Sequence, residues 1–368
     1  MSNSNLLFAI DLGNRQIKTS DGENTMVIPT SLVRKADFQG YGDSKLKDFE
    51  LYTINGESAY IGTDVKKFST ARSGLQTSTE RYSNNQIFKF LAIASVAKYA
   101  KSHPASRKGN LRINLMAGLP SEDFRNNENV DNVRKIFKGA HEVIYSHDGV
   151  DEVIKFTIDN VNFVPQPYGS FLSSALKGID VIESVGSEED FARYDDYMDS
   201  KVAILDIGGG DLQIVYVEFG NFLVNQSVQL KMGSIELFNR IRNELNMNFN
   251  IRGDINIIES LVRKGIEDNT HRFIYPVNRR KEIDITEIVV KAIEEWSQSI
   301  IEEFQLAFRN TEALDFILVT GGGANLIDKD IVNTTFNKDY ERTVFVENSE
   351  LANVEGYIKR LQMLENEE

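Results

Sequence analysis

Short continuous apolar runs alternate along this chain with longer segments in which apolar residues return every three or four positions. Leu6–Ile10, Val202–Leu205 and Phe316–Val319 are continuous runs closed by turn or polar residues and Leu111–Met116 is an extended apolar run, the patterns of buried strands. Tyr60-Ile61, segments near 141–146 and 152–164, a pair around 212–230 and Val344–Glu347 read as further strands. The helical period dominates elsewhere. Over Asn84–Tyr99, residues Ile87, Phe88, Leu91, Ala92 and Ser95 share a face with Tyr99. Over Asp284–Asn310, Ile285, Ile288, Val289, Ala292, Ile293, Trp296, Ile300 and Phe304 form the longest apolar stripe, which places Trp296 in a core. Other helices are expected over 121–138, with Ser121 as its cap and Glu122 and Asp123 in its first turn, from Gln166 to about Glu183, over 234–246, over 254–267 and over Leu351–Glu365. The polar stretches between them read as loops: a charged surface insertion over 34–49, an acidic solvated loop over Ser184–Ser200, and a basic segment over 268–283 that is either a charged loop or a contact surface.

Strand-like and helix-like segments thus follow one another along the chain. Its 368 residues and 41% hydrophobic content suit two domains with sizeable cores.

The chemistry gathers where strands end. Leu6–Ile10 ends at Asp11, followed by Gly13, Asn14, Arg15 and Lys18 in the form D-x-G-x-x-x-x-K. Val202–Leu205 ends at Asp206, followed by Gly208, Gly209, Gly210 and Asp211, and extended apolar patterning resumes at Leu212. The stretches FAIDLGNRQIK and AILDIGGGDLQIV align Asp11 with Asp206 and Gly13 with Gly208. That match suits two similar domains, each offering a strand–acid–glycine–strand hairpin to a shared cleft. Bare turns allow unusual backbone angles and close approach, their amides can face anionic oxygens, and a carboxylate at the strand end can hold the accompanying metal. The plain alternative is an ordinary hairpin that needs glycine for its turn. A third strand-to-glycine junction, Thr320 followed by Gly321, Gly322 and Gly323, would let backbone approach a flat ring or a ribose. Gln166 lies between Pro165 and Pro167, where its amide either orients a water molecule or simply completes a proline-bounded turn.

Composition narrows the remaining classes. With no cysteine there is no disulfide framework or thiolate metal site, and four scattered histidines make a histidine zinc centre or a histidine-dependent nucleophile a poor fit. No run of about 18 apolar residues suggests a membrane span, and the N-terminal stretch lacks a secretory pattern. A cytoplasmic protein is expected. The net charge of −14 argues against a uniformly basic nucleic-acid face, so a connection to DNA would run through a basic partner.

In order, DLGNRQIK, the proline-flanked Gln166, LDIGGGD and VTGGGAN resemble the first phosphate loop, the first connecting segment, the second phosphate loop and the adenosine loop of the actin/sugar kinase/heat-shock chaperone ATPase superfamily. Within it the chain resembles the bacterial actin-like proteins of the ParM/StbA plasmid-segregation type. Its length is that of an actin core without an added substrate domain. RYSNNQIFKFLAIASVAK leading to LMAGLPSEDF is similar to that group's first domain, and an acidic segment directly precedes the second phosphate loop.

The resemblance implies an actin-like (ribonuclease H-like) fold: two related α/β domains around a nucleotide cleft, each with a mixed five-stranded sheet. Domain I would cover 1–165, completed by a C-terminal helix at 350–368, and domain II would cover 166–349. It implies ATP as the nucleotide, with GTP left open, and Mg2+ held by Asp11 and Asp206 directly or through water. Lys18 would reach the β- and γ-phosphates, backbone amides at Gly13, Asn14, Gly208, Gly209 and Gly210 would cradle phosphate oxygens, Gln166 would orient the attacking water, and Gly321, Gly322 and Gly323 would lie against the adenosine. Arg15 departs from the smaller residues usual in the first loop; it points outward or touches phosphate. Asp211 turns toward magnesium or merely finishes its hairpin. The implied function is ATP hydrolysis coupled to head-to-tail filaments that segregate plasmid DNA through a DNA-binding adaptor, with no direct nucleic-acid binding and no membrane. Two alternatives remain open: a small-metabolite kinase on the same fold, for which Asp211 is the available cleft base, and a non-polymerising nucleotide-binding scaffold.

Overall fold

The computed structural model describes residues 5–38, 46–68, 70–73, 82, 85–147, 149–338 and 340–367. The chain divides into two compact units, Met1–Phe191 with Asn353–Glu368, and Ala192–Ala352.

The first unit opens with a meander of β1 (Leu6–Leu12), β2 (Gln16–Ser20) and β3 (Thr25–Pro29), followed by β4 (Ser31–Arg34), β5 (Glu50–Ile54), β6 (Glu57–Ile61) and β7 (Arg72–Ser73). Helix α1 (Gln86–Ala100) starts where the Asn85 side chain accepts the Phe88 amide at 3.0 Å. It is buried nearly all round rather than along one stripe. The short α2 (Pro104–Lys108) precedes β8 (Leu111–Leu119), then α3 (Ser121–Arg125), α4 (Asn127–Phe137), β9 (Gly139–His147), the long β10 (Val150–Pro165) and α5 (Gln166–Ala175). These strands order as β3-β2-β1-β8-β10-β9-β5-β6-β4-β7. The sheet therefore has ten strands where five were expected, because β10 pairs with β8 on one edge and with β9 on the other, and β9 carries the ladder on to β5. The sequence division at 165/166 falls just before α5, and α5 packs on β8 and β10 of this unit.

The second unit contains most of α6 (Glu188–Met198), then β11 (Lys201–Ile207), β12 (Leu212–Glu218), β13 (Asn221–Phe222), β14 (Val228–Leu230), α7 (Ser234–Phe249), α8 (Ile255–Glu267), the hairpin β15 (Ile274–Asn278) and β16 (Lys281–Asp284), α9 (Thr286–Ala307), β17 (Phe316–Thr320), α10 (Lys329–Phe336) and β18 (Thr343–Phe345). Its sheet runs β13-β12-β11-β17-β18, with β14 also on β12. Trp296 is fully buried in the core of this unit, and its Nε1 donates to the Met232 carbonyl at 3.3 Å. The last helix, α11 (Ala352–Glu367), belongs to the first unit from Asn353 onward. Among the described residues no helix is long and apolar enough to cross a membrane.

Local chemistry explains where these elements differ from expectation. The helix over 121–138 is two helices. Asn126 interrupts it, accepting the Glu128 and Asn129 amides, while Pro120 holds the cap position of the first piece and Ser121 is already helical. The acidic stretch after Ser184 is not a loop but α6. Ser187 and Asp190 exchange hydrogen bonds as a capping box, and Tyr197 is buried against Phe316 with ring centroids 4.8 Å apart. Helix α5 stops at Ala175 instead of Glu183, ahead of Gly178 at φ +79° and the turn closed by the Asp180–Val185 bridge. The basic 268–283 segment folds as a hairpin that buries Phe273 and Tyr275. Residues 39–45 of the expected surface insertion, and Asn84 at the expected start of α1, lie outside the described residues; the flanks of the insertion bring Phe38 and Phe49 into a four-ring cluster with Tyr60 and Phe68.

A charged cluster ties α1 to β5. Lys98 reaches Glu50 at 2.7 Å and Asp48 at 2.9 Å, Lys101 reaches Glu50 at 2.6 Å, and the Tyr52 hydroxyl donates to Glu50 at 2.8 Å. Burial pushes the Glu50 carboxyl up, but hydrogen bonds and charge from the two lysines outweigh it and hold the group below its ordinary value. A carboxyl with a depressed folded-state value adds stability above its unfolded value and loses it as pH falls through the folded one. Glu50→Gln is therefore expected to lower the melting temperature at pH 7 by a few degrees, with the gap to wild type closing below about pH 4.3. Thermal melts across pH 3–7 check this, and a gap independent of pH would refute it.

Candidate active site

Asp11, the penultimate residue of β1, has 3% of its surface exposed, and its cross-strand partner on β2 is Lys18. The Lys18 ammonium stands 3.5 Å from Asp11 Oδ2. Gln166, the first residue of α5, donates from Nε2 to Asp11 Oδ1 at 2.8 Å. The structure thus brings Asp11, Lys18 and Gln166 together, although Gln166 is remote from the other two in sequence. Gly13 is needed for closeness rather than for an unusual φ: a Cβ there would lie 2.6 Å from the Gln16 carbonyl oxygen. Thr30 ties the turn back, its hydroxyl donating to the Gly13 carbonyl at 2.8 Å and its amide to the Arg15 carbonyl at 3.0 Å. Asn14 and Arg15 are half-buried in this turn.

The second hairpin repeats the first in register. Asp206, the penultimate residue of β11, has 5% exposure and lies opposite Gln213 on β12, as Asp11 lies opposite Lys18. The parallel neighbours also correspond, Gly118 on β8 beside Asp11 and Thr320 on β17 beside Asp206.

The Gly208–Gly210 turn is oriented by α7. Its three carbonyls accept from the first amides of that helix and its cap: Ser234 to Gly208 at 3.0 Å, Ile235 to Gly209 at 2.9 Å and Gly233 to Gly210 at 3.3 Å. Each peptide unit is trans, so the N–H that follows each carbonyl points the opposite way. The amides of Gly209, Gly210 and Asp211 are therefore turned away from α7 together, the arrangement that binds an anion. The Gly208 amide donates within the turn, to the Asp211 carbonyl at 2.8 Å. Gly233 permits this seating, since a Cβ there would lie 2.7 Å from the Gly208 carbonyl oxygen. Contrary to the expectation of unusual backbone angles, none of Gly13, Gly208, Gly209 and Gly210 has positive φ. Asp211 is ion-paired with Lys231 at 2.5 Å.

The third junction is built onto Asp206. Gly321 has φ +89°, and a side chain there would strike the Asp206 carboxylate; the Gly323 amide donates to the Ile207 carbonyl at 2.7 Å. Gly322 has open space where a Cβ would be, and its carbonyl accepts from Arg263 Nη1 at 2.8 Å. Glu259 holds that guanidinium from the other side, 3.1 Å from Nε.

The two domain families that match the chain are the actin-like proteins' N-terminal domain, over residues 9–169, and the Alp7A C-terminal domain, over residues 201–352. The chain belongs to the actin-like proteins. Its fold is the actin-like fold expected from the motifs, and solved structures agree over nearly its whole length. An apo ParM protein, psk41 ParM, is 22% identical, with 98% of each chain covered and a TM-score of 0.70. The actin-like protein Alp7A is 16% identical, covering 98% of this chain and 96% of that one, with a TM-score of 0.74. Bacillus thuringiensis ParM with AMPPNP is 17% identical, covering 98% and 99%, with a TM-score of 0.66. At these identities the structural likeness establishes the fold. No curated protein sequence matches the chain.

Several residues at these junctions escaped the sequence reading. Gln213 carries a legible signal, since it stands as far from Asp206 as Lys18 does from Asp11. Thr30, Gly233 and Arg263 carry none, because each acts on a turn that only the folded chain brings to it.

Proposed function

We propose that this actin-like protein binds ATP with magnesium, hydrolyses it, and forms head-to-tail filaments that separate plasmid copies in the cytoplasm through a DNA-binding adaptor. The observation that carries the reading is the repeated hairpin: two buried carboxylates at the same register, one beside Lys18 and Gln166, the other beside a turn whose amides are aligned by α7. The AMPPNP of the similar Bacillus thuringiensis ParM supports a nucleoside triphosphate as ligand.

The residues suit magnesium. Among the described residues no group of three or more His, Cys, Asp or Glu could hold a metal ion unaided. Magnesium is commonly held by one or two carboxylates together with phosphates and waters, and Asp11 in the first unit and Asp206 in the second are each such a buried carboxylate. When bound, it offsets charge on the phosphates. Lys18 adds a second positive charge at the β- and γ-phosphates. The amides of Gly13 and Asn14, and those of Gly209, Gly210 and Asp211, take phosphate oxygens. Gln166 orients the attacking water through its carboxamide oxygen, because its Nε2 is directed to Asp11. Gly321–Gly323 lie against the adenosine. Asp211, paired with Lys231, is not presented as a substrate base. A repeated head-to-tail contact gives an open filament instead of a closed ring.

Light scattering and electron microscopy with magnesium-ATP test the reading, and the same assay with GTP decides nucleotide preference. Nucleotide-dependent filaments that disassemble as phosphate is released are expected. Asp206→Ala is expected to cut magnesium-dependent hydrolysis by roughly a hundredfold. A chain that stays monomeric over a broad range of protein and salt while transferring phosphate to a metabolite would overturn the proposal.

A further inference from the structure

The first turn of α5, which carries Gln166, is gripped from outside by α11. Asn353 and Tyr357 stand four residues apart on that helix and so share a face. The Tyr357 hydroxyl donates to the Gln166 carbonyl at 3.2 Å. Asn353 Oδ1 accepts from the Ser170 amide at 3.1 Å and from the Ser170 hydroxyl at 2.7 Å. Gln166 and Ser170 are the two ends of the first-turn hydrogen bond of an α-helix, so two side chains of α11 engage both ends of the turn whose first residue is Gln166.

The surroundings are shaped for this contact. Tyr357 is fully buried. Its ring lies where a side chain at Gly118 or Gly169 would have to go, and Gly356 packs directly on the Gly169 carbonyl. Gly118 is also the residue paired with Asp11 across β1 and β8. The tyrosine ring therefore rests on the strand beside Asp11 while its hydroxyl holds the residue that donates to Asp11. An apolar ring would fill the same volume. The hydroxyl adds the bond to the Gln166 carbonyl.

We propose that Asn353 and Tyr357 are positioning residues that set the rotation of the first α5 turn and thereby aim the Gln166 carboxamide. They touch no substrate and act through Gln166. The inference rests on the proposed water-orienting role of Gln166 for its effect on turnover, but the aiming itself can be observed without turnover.

The test uses the full chain with Tyr357→Phe, which keeps the ring and removes the hydroxyl. The first readout is the side-chain amide signal of Gln166 in 1H–15N spectra, assigned by its loss in Gln166→Ala. In wild type this signal is expected to be protected from solvent exchange by the bond to Asp11. In Tyr357→Phe it is expected to shift and exchange faster, while backbone signals of the second unit stay in place. The second readout is hydrolysis. Tyr357→Phe is expected to lower kcat about fivefold with KM little changed, the scale of one lost hydrogen bond, and to cause no further loss in a Gln166→Ala background. A shifted amide signal with no hydrolysis by any variant upholds the clamp and removes the ATPase reading. An unmoved Gln166 amide signal overturns the clamp, as does an equal further loss of turnover in the Gln166→Ala background.

Discussion

Gln166→Ala is expected to leave nucleotide affinity within about twofold of wild type and to slow phosphate release by roughly a hundredfold, the scale of losing one positioned group at a reacting centre. The asymmetry follows from where the side chain ends. Its Nε2 is directed to Asp11, 2.8 Å away, and that bond fixes the plane of the carboxamide; in the proposed reaction its oxygen orients the attacking water and does not hold a phosphate. Truncation therefore removes an interaction that matters while water attacks and leaves the phosphate donors in place. Asp11 keeps Lys18 as its cationic neighbour, so its carboxylate is not stranded. Single-turnover phosphate release measured beside equilibrium nucleotide binding separates the two effects. Unchanged release would take Gln166 out of the reaction. Equal losses in both measurements would make it a binding residue.

Gly356→Ala is expected to cause a large loss of stability in the first unit. A Cβ at this position would fall on the carbonyl oxygen of Gly169, with the carbonyl carbon 2.5 Å and the Cα 2.7 Å away. The obstacle is backbone on both sides, so no side-chain rotation relieves it, and α11 must move off α5. Overpacking of this kind costs about 3 kcal/mol, which corresponds to a fall of about 6–12 °C in melting temperature for a unit of this size. Because α11 also carries Tyr357, the displaced helix would release Gln166, and hydrolysis should fall together with stability. Thermal unfolding and phosphate release on the same samples check both. A melting temperature within about 2 °C of wild type would show that the helices can part there at little cost.

Much of the site is legible along the chain because it is made of contiguous pieces. The run from Leu6 through Asp11 to Lys18 is a strand, a turn and a strand, and so is the run from Val202 through Asp206 to Val215. Hairpins of this kind are set by local turn chemistry and alternation. The alignment of Asp11 with Asp206 along the chain has its counterpart in the fold, where the two acids hold the same register. The errors arose where a polar surface hides a helix or a buried face. The stretch after Ser184 is so acidic that it read as solvated loop, yet a Ser187–Asp190 cap and one buried ring at Tyr197 are enough to make it helical. Asn126 read as an interior helix residue, although its side chain ends one helix and starts the next. Caps compete with continuation by only about 1 kcal/mol, and periodicity alone does not resolve so small a difference.

The sequence by itself determined the α/β class, the actin-like motif order, the buried strands ending at Asp11 and Asp206, and the core place of Trp296. Each motif and strand depends on residue type and on spacing within a dozen positions, and the motif order on how those short stretches follow one another along the chain. Only the tertiary structure decided that Gln166 meets Asp11, that α7 turns the amides of Gly209, Gly210 and Asp211 outward, that Gly321 yields space to the Asp206 carboxylate, and that the last helix grips the first turn of α5. Each of those contacts joins segments brought together by sheet pairing and helix packing, and a hydrogen bond or a missing Cβ has meaning only once that packing has placed its partner.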